Sequence, residues 1–70
     1  MQMIPVSSSN LDSVGYDSLT GKLYIRFNSG GLYEYDKVPY SVYEGLMHAA
    51  SHGRYFHAHI KGIYAYRRIG

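Results

Sequence analysis

The sequence contains no cysteine, no tryptophan and only two prolines in 70 residues. Without Cys, disulfides, thiolate zinc sites and Cys nucleophiles are excluded together, so a domain this small must be held by packing or by self-association. Long hydrophobic runs are missing as well. The longest apolar stretch is Ile63-Tyr64-Ala65-Tyr66, far short of the roughly 20 residues a membrane helix needs. The opening residues Met1-Gln2-Met3-Ile4-Pro5 carry no basic segment leading into a hydrophobic one. Neither a membrane span nor a signal peptide is expected, and the expected location is the cytoplasm. At this length the chain forms one domain, residues 1–70, too small for a large catalytic scaffold. Charged residues are few, at 17%, while hydrophobic residues reach 46%, a balance that excludes disorder driven by charge.

What is abundant is tyrosine, with nine residues against two Phe. Most aromatic area therefore carries a hydroxyl that seeks a partner or water, which favours half-wet surfaces over a dry core. Charge is also uneven. Lys22, Arg26 and Lys37 are outnumbered by Asp12, Asp17, Glu34, Asp36 and Glu44, whereas Arg54, Lys61, Arg67 and Arg68 close the chain with no acid among them. The C-terminal quarter is the natural anion-facing segment.

Pro5 limits any strand over residues 4–9 to a short or edge position. Leu11 to Tyr16 alternates loosely as a strand, and Asp17-Ser18-Leu19-Thr20-Gly21 forms a turn. Leu23, Ile25 and Phe27 fall on one face with Tyr24, Arg26 and Asn28 on the other, the period of a half-buried strand. Ser29-Gly30-Gly31 supplies a hairpin connection, and Tyr33 and Tyr35 share a face of the returning strand. Pro39 ends this meander. Ser41-Val42-Tyr43-Glu44 fits a capping box and predicts a helix to about Ser51, stopped by Gly53, with Val42, Leu46 and Ala49 or Ala50 as its apolar stripe. A short helix over 54–61 and a final strand over 63–69 complete the prediction.

An ordered set of residues then carries a family resemblance. Ser7-Ser8-Ser9, Val14-Gly15-Tyr16-Asp17, Leu23-x-Ile25-x-Phe27, Gly30-Gly31-x-Tyr33-x-Tyr35, Val38-Pro39-x-x-Val42-Tyr43-x-x-Leu46 and Ser51-x-Gly53-x-Tyr55-Phe56, with Ile60 and Tyr64, resemble the KTSC domain across nearly the whole chain. That family is named for a module at the C-terminus of some lysyl-tRNA synthetases and also occurs as free small proteins in bacteria and phages. The resemblance implies a compact domain with no assigned catalytic activity. His57 departs from its usual pattern, in which an Asn commonly follows the aromatic pair.

Gly53-Arg54-Tyr55-Phe56-His57-Ala58-His59-Ile60-Lys61-Gly62 interleaves cations, aromatics and glycines, a mixture that pairs phosphates with Arg and Lys while rings stack on bases. The competing reading places Tyr55, Phe56 and Ile60 in the core with Arg54 and Lys61 merely solvated. A helix starting near Arg54 would add free N–H groups, with Ser51 nearby. Tyr24, Tyr33, Tyr35, Tyr64 and Tyr66 could form a stacking platform, or pair across the sheet or between subunits. His48 and His52, four apart, suggest a helical zinc pair, but a zinc site needs at least a third protein ligand, which His57 or His59 could supply. Exposed histidines near a helix C-terminus explain them as well. Glu34 and Asp36 could divide acid and base roles or simply form a solvated strand face.

The sequence thus predicts an α+β domain: a small antiparallel meander of three to four strands, one main helix, and a short basic C-terminal helix-strand extension. The leading functional reading is a non-catalytic protein, without cofactor or metal, that binds a nucleotide or single-stranded nucleic acid and forms a homo-oligomer. Tyr33, Tyr35, Ser51, Gly53, Arg54, Tyr55, His57, Lys61, Tyr64 and Arg67 are its candidate ligand-binding residues. The nucleotide version would be a small signal sequestered by a phage-type sponge. The alternatives are a protein-interaction module using the Tyr-rich sheet, and a phosphodiesterase using His57 and His59 as acid and base.

Overall fold

The alternation of Leu23, Ile25 and Phe27 builds the central strand around which the rest assembles. In the computed structural model, which describes residues 2–70, the elements run β1 (Ile4–Pro5), β2 (Leu11–Asp17), β3 (Lys22–Phe27), β4 (Leu32–Tyr35), α1 (Tyr40–His48), α2 (His52–His59) and β5 (Tyr66–Arg68). The strands form one antiparallel sheet in the order β1-β2-β3-β4-β5. The expected meander is its centre, and two short strands at the edges bring the count to five. Among the described residues no helix is long and apolar enough to cross a membrane.

Register sorts the side chains by face. Val14 pairs with Ile25 and Ile25 with Tyr33; Tyr16 pairs with Leu23, Leu23 with Tyr35, and Tyr35 with Tyr66. Because successive strand residues point to opposite sides, these rows share the face that packs on the helices. The row Gly15, Tyr24, Glu34 and Arg67 lies on the other face. The core joins Leu11, Val14, Leu23, Ile25, Tyr35 and Val38 to Leu46 of α1, Phe56 of α2 and Ile60 just beyond it. Tyr16 reaches across the sheet's end, where its hydroxyl donates to the Val38 carbonyl at 2.6 Å and its ring stacks on Tyr43 at 4.8 Å.

The helices depart from the sequence-based expectation in three ways. Pro39, not Ser41, is the N-cap of α1, and no side chain caps it. The Pro39 carbonyl accepts from Val42 N–H and Tyr43 N–H, so Ser41 already lies inside the first turn and the capping box does not form. The first helix ends at His48, with Ala49 and Ser51 extended, although alanines favour helix. Here His52 Nδ1 lies 2.7 Å from the Leu46 carbonyl, which also accepts from Ala49 N–H at 3.4 Å, so a side chain of the next element braces the helix end. Gly53 consequently sits in the first turn of α2 rather than stopping α1. Ser51 begins that second helix, its Oγ accepting from Arg54 N–H at 3.2 Å. α1 and α2, at nine and eight residues, are nearly equal. The last strand is shorter than 63–69, because residues 60–65 form the turn out of α2, with Gly62 at φ 79°.

Candidate functional site: an aromatic cleft beside α2

Where β4 and β5 pass under α2, the sheet and helix enclose a cleft of about 320 Å³. Tyr33, Tyr35 and Tyr66 come from the sheet, Phe27 from the end of β3, and Phe56, His57, Lys61 and Gly62 from α2 and the turn after it, while Asn10 and Ser29 line it from two loops. The rings are mutually braced. Tyr35 meets Phe56 edge to face at 5.8 Å and lies 5.6 Å from Tyr66, while Phe27 meets both Tyr33 and Phe56 edge-on. Tyr66 is 62% exposed whereas Tyr35 is only 4% exposed. One ring is thus free to be covered by a ligand, and the other is fixed deep in the cleft.

A second, shallower recess of about 440 Å³ adjoins it, lined by Ser9, Asn10, Ser51, Gly53, Arg54 and His57. Asn10 and His57 border both. Arg54, His57 and Lys61 recur at i, i+3 and i+7, the spacing of one helical face. Arg54 stands in the first turn of α2, and Lys61 in the turn that follows its last residue, His59. Among the described residues neither Arg54 nor Lys61 has an acidic partner within salt-bridge distance. Gly53 lies under the 8–10 loop, where a Cβ would come 3.5 Å from Asn10 Cβ.

Of the ten residues singled out from sequence, Tyr33, Tyr35, His57 and Lys61 line the cleft, and Ser51, Gly53 and Arg54 line the recess beside it. The other three lie elsewhere. Tyr55 packs between the helices, where its ring leaves no room for a Cβ on Gly45, and it meets the His59 ring at 4.4 Å with the planes inclined at 39°. Tyr64 is half-buried against the core. Arg67 is on the opposite sheet face, its guanidinium 3.5 Å from Glu34.

The tyrosine platform is likewise divided, because Tyr24 shares the far face with Glu34. His48 and His52 belong to different helices, so the helical zinc pair does not form. Among the described residues no three His, Asp or Glu side chains are grouped to hold a metal. His57 borders the cleft while His59 is held against Tyr55, so the structure does not bring the two imidazoles to one site.

Electrostatics separate the two faces. On the far face, Lys22 Nζ lies 2.7 Å from Glu34 Oε1 and 2.9 Å from Asp36 Oδ1. Its hydrogen bonds hold both carboxyls below their ordinary range, with Arg67 adding to the effect on Glu34, and those bonds raise the Lys22 ammonium in return. Glu34 and Asp36 thus share a cation rather than dividing acid and base roles. In the cleft, burial pushes the Tyr35 phenol up to about 12, with the Tyr66 and Tyr33 hydroxyls contributing. Tyr35 remains neutral across the physiological range.

Sequence reasoning missed Asn10, Phe27 and Ser29 as cleft residues, and named Tyr66 in the tyrosine platform but not among the ten candidates. Ser8 Oγ accepts from the backbone N–H of Asn10 and Leu11, shaping the loop that brings Asn10 to α2. Tyr66 could have been found by following the strand tyrosines through the β4–β5 pairing. For Asn10 and Ser29 no local signal exists, because their place depends on contacts distant in sequence.

A profile of the KTSC domain matches residues 7–64. The fold is similar to a crystal structure of a KTSC domain protein from Yersinia pestis, with TM-score 0.96, 43% identity, and coverage of 99% of this chain and 97% of that one. An uncharacterized protein of Stutzerimonas stutzeri is 41% identical over 70 residues, 99% of each chain. A lysine–tRNA ligase of Trichormus variabilis is 48% identical over 54 residues, 77% of this chain but 10% of the ligase. The chain therefore spans about a tenth of the length of that ligase.

Proposed function

The chain belongs to the KTSC domain family, and from that premise we propose that it binds single-stranded nucleic acid, RNA above all, without catalysing a reaction. One observation carries the reading: an aromatic cleft with Lys61 and a recess with Arg54, two cations without an acidic partner, adjoin through His57 and Asn10. Aromatic rings give sequence-tolerant stacking of about 1–3 kcal/mol per base, while the cations track the backbone. Arg54 lines the recess and Lys61 the cleft, so rings and cations extend over two adjoining hollows, an arrangement that suits a strand of several nucleotides better than a lone nucleotide. The similarity to a segment of lysine–tRNA ligases favours RNA over DNA.

The test is fluorescence anisotropy with a labelled single-stranded RNA of about eight nucleotides across a series of salt concentrations. Two phosphate contacts predict that log K falls with log salt at a slope near −1.4, from about −0.7 per phosphate on single strands. An absence of binding, or binding indifferent to salt, would contradict the proposal.

A further inference from the structure

Tyr35 is buried among rings, yet its hydroxyl makes no hydrogen bond to any described residue. The half-buried Tyr16 shows the contrast: its hydroxyl donates to the Val38 carbonyl. A buried hydroxyl without a partner is costly, and no side-chain N or O among the described residues is both sealed from solvent and unpaired. Tyr35 lines the cleft at 4% exposure. Its hydroxyl is therefore not sealed from solvent, and the hollow that Tyr35 lines is the cleft.

We infer that the Tyr35 hydroxyl is a specificity determinant that hydrogen-bonds the edge of a single unstacked nucleobase inserted between Tyr66 and Phe56. The inference rests on the nucleic-acid reading above and adds which part of the strand enters the cleft. A volume of about 320 Å³ is at the small end of ligand sites and suits one planar group. A phosphate pushed among Tyr33, Tyr35, Phe27 and Phe56 would lose its hydration with only Lys61 and His57 at the cleft to meet it. The burial that raises the Tyr35 phenol opposes any anion there, whereas a neutral base keeps its stacking and meets a donor. The phosphates remain outside, beside Lys61 and Arg54.

The test compares wild type and Tyr35→Phe on two probes, a single-stranded RNA of about eight nucleotides and an abasic strand of the same length. The wild type should prefer the strand with bases. Tyr35→Phe should weaken binding of that strand about three- to tenfold, the value of one hydrogen bond, and leave the abasic strand unchanged. It should also unfold at the same temperature as wild type or higher, since it removes an unpaired group. Equal loss on both probes, no loss on either, or a destabilised variant overturns the inference and leaves strand binding standing. If wild type binds neither probe, the nucleic-acid reading itself falls, and the inference with it.

Discussion

Tyr35 of β4 and Phe56 of α2 meet edge to face, with centroids 5.8 Å apart and planes inclined at 78°. Both residues are 4% exposed. This contact fastens the second helix to the sheet and gives the cleft its depth, so stability and site geometry depend on the same pair. Phe56→Ala should cost about 3–5 kcal/mol in urea denaturation, the range for removing a buried aromatic ring. A loss below about 1 kcal/mol would mean that α2 is anchored by Ile60 alone.

The close approach of the two helices makes a second prediction. A Cβ on Gly45 would lie 2.6 Å from Cζ of Tyr55, which ordinary packing does not allow. Gly45→Ala gains about 1 kcal/mol of helix propensity, but overpacking costs about 1–3 kcal/mol, and the stiff Tyr55 ring is held against His59. Net destabilisation is expected, with part of it relieved when Tyr55→Ala is added. An unchanged or raised midpoint for Gly45→Ala would show that the ring swings aside freely.

The far sheet face sets an acid limb. Glu34 and Asp36 are lowered from ordinary values of 4.5 and 3.8, first by hydrogen bonds from Lys22. A lowered carboxyl contributes stability above its unfolded pKa and loses it as pH falls through the folded one. Wild-type stability should therefore decline as pH drops below about 4.5, and Lys22→Met should flatten that decline. Thermal unfolding scanned from neutral pH to pH 3 checks it; parallel curves for the two proteins would refute the assignment.

Placement of the cations divides their expected effects on RNA binding. Arg67 is engaged with Glu34 on the far face, so Arg67→Ala should leave affinity for a short single-stranded RNA unchanged. Arg54→Ala and Lys61→Ala should each weaken it and reduce the salt slope by about 0.7. Anisotropy titrations of the three variants at two salt concentrations distinguish these outcomes. Loss of binding in Arg67→Ala alone would move the interface to the other face.

Local pattern carried most of the sheet. Leu23, Ile25 and Phe27 define β3, Ser29-Gly30-Gly31 turns the chain with Gly30 at φ 114°, and the β-forming tail marks the last strand. The helix boundaries were less legible. Ser41 and Glu44 have the spacing of a cap, but Pro39 begins the helix two residues earlier in the chain, and nothing local in Ala49-Ala50 announces a break that His52 supports from the next element. The site was legible where it is local, from Ser51 through α2 to Lys61 in the turn after it. It was illegible where strands and loops converge: pairing sends Tyr24 and Arg67 to one face and Tyr33, Tyr35 and Tyr66 to the other, and the 8–10 loop brings Asn10 over Gly53.

Amide chemical shifts of the isotope-labelled protein, recorded while a short single-stranded RNA is added, test the central claim most directly. The account predicts changes at Asn10, Ser29, Tyr33, Tyr35 and Tyr66 and along Ser51 to Lys61, with Lys22, Tyr24 and Glu34 unmoved. An unchanged spectrum, or changes confined to the Lys22, Tyr24 and Glu34 face, would contradict it.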